Sequence, residues 1–137
     1  MRLLVDTNIF LDIIFERKNL FLGSSEFLRN AKRRSDVLYI STSSLKDISY
    51  FLKKSFHDNK KVNEELINIY SFVNKVIGLT SDDGIEALYK DGDYEDNALI
   101  CSAERTMCDA IITRNIKDFS NKGINCFTPE EYLTYIK

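Results

Sequence analysis

Asp6 follows the apolar run Leu3-Leu4-Val5 and precedes Thr7-Asn8 and the amphipathic stretch Ile9 to Phe15, so a carboxylate stands where a strand hands over to a helix. Other acids occupy comparable boundaries. Asp47 lies in the first turn of the helix expected after Val37-Leu38-Tyr39-Ile40. Asp93, Glu95 and Asp96 open the helix before Ala110-Ile111-Ile112-Thr113, and Asn115 and Asp118 follow that run. Carboxylates from separate loops converging on one face provide hard oxygen ligands suited to Mg²⁺ or Mn²⁺. Without a cation they would raise one another's pKa and titrate together. A divalent ion relieves that repulsion, activates water and neutralises charge on a phosphate under attack. Such chemistry needs no His or Cys nucleophile. The single histidine, His57, sits in the polar stretch Ser55 to Lys60 and reads as a solvated loop residue, while Cys101, Cys108 and Cys126 form no CxxC pair.

Each acid also has a purely structural reading. Asp6 is equally placed to cap a helix, and Ser44-Leu45-Lys46-Asp47 is a capping-box variant. Asp93 has the look of an N-cap, Glu95 and Asp96 suit a first turn through the helix dipole, and Asp118 could cap a turn. Capping alone, however, does not select one edge of a sheet for all of them.

The elements that must position these acids follow from periodicity and punctuation. Strands are expected at Arg2 to Val5, Val37 to Ile40, Ala110 to Thr113 and Ile124 to Phe127. Helices are expected from Asp6 or Thr7 to about Phe15, Leu20 to Arg34, Leu45 to Phe56, Ile85 to Lys90 and Tyr94 to Cys108. A long helix over Val62 to Ile77 rests on Val62, Leu66, Ile69, Val73 and Val76, spaced by four and three. Arg29, Lys32, Arg33 and Arg34 form a basic end that suits a helix C-terminus. Cys101 and Cys108, seven apart on one expected helix, would share a buried face. Thr128, Pro129 and Glu131 spell a capping box with Pro in the first turn of a final helix. Strands alternating with helices indicate an α/β fold with a mainly parallel sheet, whose right-handed crossovers bring the strand ends to one edge.

At 137 residues, 44% hydrophobic and 29% charged, the chain has the composition of one globular domain spanning 1–137. Its formal net charge of −2 excludes a strongly basic nucleic-acid binder but permits a local basic rim around an acidic site. No apolar stretch approaches a membrane span, and Asp6 interrupts any signal-peptide core, so a soluble, unexported, cytoplasmic protein without a membrane partner is expected.

Taken in order, Val5-Asp6-Thr7-Asn8, Ile40-Ser41-Thr42-Ser43-Ser44-Leu45-Lys46-Asp47, Tyr94-Glu95-Asp96-Asn97-Ala98 and Ile111-Ile112-Thr113-Arg114-Asn115 resemble the motifs of PIN domains over nearly the whole chain. The resemblance implies a three-layer α/β/α sandwich around that sheet. It also implies an Mg²⁺- or Mn²⁺-dependent ribonuclease of the VapC toxin type, with an RNA substrate, a cognate antitoxin and a possible homodimer. By position, Asp6 resembles the first metal-binding acid, Asn8 its polar support and Asp96 the third acid, with Glu95 as its neighbour. Asp47 stands where the family usually has Glu. Asn115 stands where Thr-Arg-Asp is common; an amide oxygen can ligate a cation but brings no charge, and Asp118 is the substitute carboxylate, acting directly or through water. Thr113 is placed to hydrogen-bond a site carboxylate and Arg114 to contact RNA phosphate. Phe10, Ile14, Phe15, Phe21 and Leu22 fall where PIN toxins form an antitoxin groove.

The leading expectation is therefore hydrolysis of RNA phosphodiesters by water that a cation at Asp6, Asp47 and Asp96 activates, assisted by Asp118 and Asn115. The alternative is a catalytically weakened PIN-like module that binds RNA or a protein, which Asp47 and Asn115 motivate. A receiver-like phosphoacceptor shares the sheet, but Thr7-Asn8 lack the paired acid expected after its first strand.

Overall fold

The computed structural model describes residues 1–137. The chain runs β1 (Arg2–Val5), α1 (Thr7–Ile14), α2 (Phe21–Arg33), β2 (Val37–Ser41), α3 (Thr42–Phe56), α4 (Asn59–Phe72), β3 (Lys75–Ile77), α5 (Ser81–Ala87), α6 (Tyr94–Arg105), β4 (Ala110–Ile112), α7 (Ile116–Phe119), β5 (Asn125–Phe127) and α8 (Pro129–Tyr135). The five strands form one sheet in the order β3-β2-β1-β4-β5, and every pairing is parallel.

Alternation along β1 builds the three layers. Leu3 and Val5 join the larger core cluster with Ile9, Leu11, Phe27, Ile48, Ile69 and Tyr132, which belong to α1, α2, α3, α4 and α8. Leu4 faces the other way, into Leu99, Ile100, Ala103 and Phe119 of α6 and α7. Because both faces are covered, Leu3, Leu4 and Val5 are all apolar and buried, and only Arg2 at the strand's start is exposed. A small third cluster, Ala87, Ala98 and Cys101, joins α5 to α6, and the Arg105 Nε donates to both Asp83 carboxylate oxygens at 3.1 Å across the same pair of helices.

Several expected boundaries move: the helix expected over Ile85 to Lys90 spans Ser81–Ala87, where Thr80 and Asp83 form a capping box. The long helix stops at Phe72, and Lys75–Ile77 becomes the edge strand β3. Val73 takes an extended ψ of 155°; the Asn74 N–H then donates to the Leu38 carbonyl while its side chain accepts from the Leu38 N–H, both at 2.9 Å. This long-range clamp onto β2 outweighs a helical spacing that Val73 and Val76 merely continue. Helix α3 starts at Thr42 with Ser41 as its N-cap, so the Ser44–Asp47 capping box does not form and Asp47 lies in the second turn. Helix α6 ends at Arg105, which puts Cys108 beyond it and in a different cluster from Cys101, although both are buried. The Thr128/Glu131 capping box with Pro129 forms as its residues predict, and His57 is the exposed left-handed C-cap of α3.

Helix α8 is fastened to the sheet by a buried polar cluster. The Tyr132 hydroxyl donates to Asp36, which also takes the Met1 amino group at 2.6 Å. Burial and the Asp36 carboxylate hold the Tyr132 pKa above its ordinary value. Tyr132→Phe leaves that buried carboxylate short of a donor. It is expected to cost about 1.5–3 kcal/mol, measured by urea unfolding at neutral pH.

Candidate active site

Order β3-β2-β1-β4-β5 means that the chain moves outward from β1 to β3 and then returns to β1's other side. The switch point lies between β1 and β4, and in open parallel sheets the crevice beyond the carboxyl ends at that point binds ligands. Val5 pairs with Ile112, so the next residues, Asp6 and Thr113, emerge side by side there. The Asp6 N–H continues the ladder to the Ile112 carbonyl at 2.9 Å.

Asp6 is buried and serves two tasks. It is the N-cap of α1, where its Oδ1 accepts from the Thr7 N–H at 2.8 Å, and its Oδ2 accepts from the Thr113 hydroxyl at 2.8 Å. The same hydroxyl oxygen accepts from the Asn115 N–H at 3.0 Å, so Thr113 ties the β4–α7 loop to the acid. Burial raises the Asp6 pKa, the hydrogen bonds from Thr113 and Thr7 oppose it, and the charges of Asp47 and Asp118 add to the rise; the net shift is upward.

The other acids arrive from three further elements. Asp47 is half-buried on α3 and acts on Asp6 through its charge. Of the three acids around the start of α6, Asp93 is the N-cap, accepting from the Asp96 N–H at 3.1 Å, Glu95 is exposed, and Asp96 is half-buried. Burial first, then the charges of Asp93, Asp118 and Asp6, push Asp96 up to about 6, against a lowering by Lys122. Asp118, exposed on α7, thus reaches both Asp6 and Asp96 electrostatically. Asn115 is exposed at the N-cap of α7 without capping it. Asn8 accepts from Arg17 Nη1 at 3.1 Å.

Four carboxylates from four elements therefore share one electrostatic environment at the switch point. As the side chains stand, no three acids are close enough to hold a metal ion together. The donor chemistry nonetheless fits a hard divalent ion, since two of the carboxyls, Asp6 and Asp96, are pushed toward protonation by burial and by neighbouring carboxylates, the condition a cation relieves.

Arg114 turns away from the position expected of a phosphate contact. Its Nε donates to Asp12 at 3.0 Å, its Nη1 to Glu130 at 2.5 Å, and its Nη2 to the Leu20 carbonyl and the Ser24 hydroxyl at 3.0 Å. All three guanidinium nitrogens are thereby committed, because Asp12 is fully buried and needs a cation. Burial pushes Glu130 up, but Arg114 overcomes this and leaves it below the ordinary carboxylate range. Gly23 makes room for the contact: a Cβ there would lie 1.9 Å from the Glu130 carboxylate. This strut, spanning α1, α2 and α8, escapes sequence reasoning except for one sign, an acid among Ile9, Phe10, Leu11 and Ile13. Asn97 was missed as well. Fully buried, it donates to the carbonyls of Lys90 and Asp91 at 3.2 and 3.1 Å and accepts from Lys122 at 3.0 Å, fixing the turn that presents Asp96.

Comparison with solved structures finds the same fold elsewhere. A toxin–antitoxin complex from Klebsiella pneumoniae aligns with a TM-score of 0.66 at 22% identity, covering 92% of this chain and 96% of that one. VapBC2 from Rickettsia felis, bound to a promoter DNA fragment, aligns at 0.69 and 17%, covering 93% and 98%. VapC20 from Mycobacterium tuberculosis, a toxin that cleaves the sarcin-ricin loop, aligns at 0.66 and 13%, covering 89% and 95%. At these identities the likeness concerns the fold. Among curated proteins no significant match occurs. A family model described as PIN domain matches residues 2–117, from β1 into α7, and takes in the acids Asp6, Asp47 and Asp96; the chain belongs to the PIN domain family.

Proposed function

We propose that the protein is a metal-dependent endoribonuclease that hydrolyses RNA phosphodiesters as the toxin of a cytoplasmic toxin–antitoxin pair. The observation that carries this reading is the raised pKa of both Asp6 and Asp96 at the switch point, set first by burial, with the charge of Asp118 adding to both and that of Asp47 to Asp6. Asp6, Asp47 and Asp96 would hold a Mg²⁺ or Mn²⁺ ion, which when bound activates water and neutralises charge on the phosphate. Thr113 orients the Asp6 carboxylate, Asn97 holds the turn before Asp96, and Asn8 supports the start of α1. Asp118 supplies a carboxylate at the rim, close along the chain to the neutral Asn115. No helix is long and apolar enough to cross a membrane.

An antitoxin segment fits the groove of about 500 Å³ between α1, α2 and α4, which Phe10, Ile13, Ile14, Leu28, Ile69 and Phe72 line. Phe10 and Ile14 were expected there. Phe15 instead packs edge-on against Phe56, and neither Phe21 nor the exposed Leu22 lines the groove.

RNA cleavage is expected with Mn²⁺ or Mg²⁺, to stop with chelator and in Asp6→Asn; cleavage indifferent to both defeats the proposal. Asn115→Asp, which adds the fourth carboxylate, is expected to tighten Mn²⁺ binding several-fold by calorimetry. Asp47 and Asn115, which stand where the family motif carries other residues, favour a second reading, a catalytically weakened module that binds RNA or a protein. RNA binding with no measurable Mn²⁺ uptake would select it.

A further inference from the structure

Helix α3 buries Ser44, Leu45, Ile48 and Leu52, yet its other side carries two large aromatic rings in solvent, Tyr50 at 58% and Phe51 at 42% exposure. Their positions are not arbitrary. Residues three, four and seven apart share a helix face, so Tyr50, Phe51 and Lys54 stand on the face of Asp47, stepping away from the acidic site by about 1.5 Å per residue. The rings meet edge to face with centroids 5.6 Å apart, and Lys54 Nζ lies 5.4 Å over the Tyr50 ring. Around them the charge reverses: residues 43–61 hold five lysines, at 46, 53, 54, 60 and 61, against Asp47 and Asp58, in a chain of net charge −2.

We infer that this face of α3 is a track for single-stranded RNA leading to Asp47, with bases on Tyr50 and Phe51 and phosphates on Lys46, Lys53 and Lys54. Exposed aromatics interleaved with cations are the combination that holds an unpaired strand. Every base has a π-face to stack, and each neutralised phosphate releases counterions. A duplex offers no free base face and would gain only the charge contribution. The inference rests on the nuclease reading for its direction, but its binding arm does not depend on cleavage.

The test measures binding of labelled oligouridine, single-stranded or annealed to oligoadenosine, to the Asp6→Asn protein in chelator. Tyr50→Ala and Phe51→Ala are each expected to weaken single-strand binding roughly tenfold, with Tyr50→Phe close to the parent. Lys53→Gln and Lys54→Gln should each reduce the slope of log affinity against log salt by about 0.7. The chain has no tryptophan, so Phe51→Trp supplies a single reporter, and the strand should quench it on stacking. This readout also serves if an alanine variant folds poorly. Unaltered affinity in both alanine variants, or an unquenched reporter, overturns the track, as does a change of mass in solution with RNA affinity unchanged, which would mark a protein interface. If the parent chain cuts no RNA while these variants still lose binding, the track stands and the nuclease reading falls. If it cuts RNA while they bind normally, the reverse holds.

Discussion

Arg114→Ala is expected to lower the unfolding free energy by about 3–5 kcal/mol, the cost of leaving a buried ion without its partner. For a domain of this size that is a fall in Tm of roughly 10–20 °C, measured by calorimetry. The reason lies in Asp12. It is fully buried, and its carboxylate is held by Ser24 at 2.7 Å and by Arg114 at 3.0 Å, with Arg17 at 3.5 Å as a more distant, partly exposed contact. Arg17 is too solvated to replace Arg114. Arg114→Lys should recover little, since one ammonium cannot reach Asp12, Glu130, Ser24 and the Leu20 carbonyl together. The double variant Asp12→Leu/Arg114→Met is expected to be markedly more stable than Arg114→Ala, because removing both charges also removes their desolvation cost. A double variant no more stable than the single one would show that packing, rather than the ion pair, sets the effect. Because Arg114 stands between Thr113 and Asn115, melting this strut should also loosen the Thr113 hydrogen bond to Asp6, so activity should fall at temperatures where Arg114→Ala is still folded.

Asp96→Asn is expected to move activity and stability in opposite directions. Losing one ligand of the proposed cation should cost about 10²–10³-fold in RNA cleavage, as removing one preformed electrostatic group does elsewhere. Without a divalent ion, the same variant should be more stable than the parent. The folded pKa of about 6 lies above the ordinary 3.8, so the folded chain binds that proton more tightly than the unfolded one. The ionised carboxylate therefore weakens the fold fully above about pH 6, progressively less down to about pH 4, and not at all below it. After allowance for partial exposure, the gain at about pH 8 is on the order of 1 kcal/mol and should vanish near pH 4. Adding Mn²⁺ should raise the Tm of the parent by linkage and leave that of Asp96→Asn nearly unmoved. Equal stabilisation of both by the ion would take Asp96 out of the ligand set.

The two variants mark where sequence and structure part. Sequence alone determined the local events: β1 as a strand, the Thr128/Glu131 cap, and the acids at strand-to-helix boundaries. Each depends on neighbours within a few residues, where spacing and side-chain chemistry decide. It also brought Asp6, Asp47, Asp118 and the acids at the start of α6 together, because α/β order brings strand ends to one edge, and the resemblance to PIN domains picked Asp96 from among the last. Only the tertiary structure distinguished Asp93, Glu95 and Asp96 physically, since all three suit a first turn but only Asp96 is half-buried, Asp93 and Glu95 being exposed. It alone made Lys75–Ile77 a strand, because the groups that pair it with β2 lie 36 residues away at Leu38. And it drew the Arg114 guanidinium inward, because a partner it shares with nearby Glu130, the fully buried Asp12, lies 102 residues away along the chain and 3.0 Å away in the fold. Local patterns carry short-range energies; the partner of a buried charge is a long-range one, and only folding reveals it.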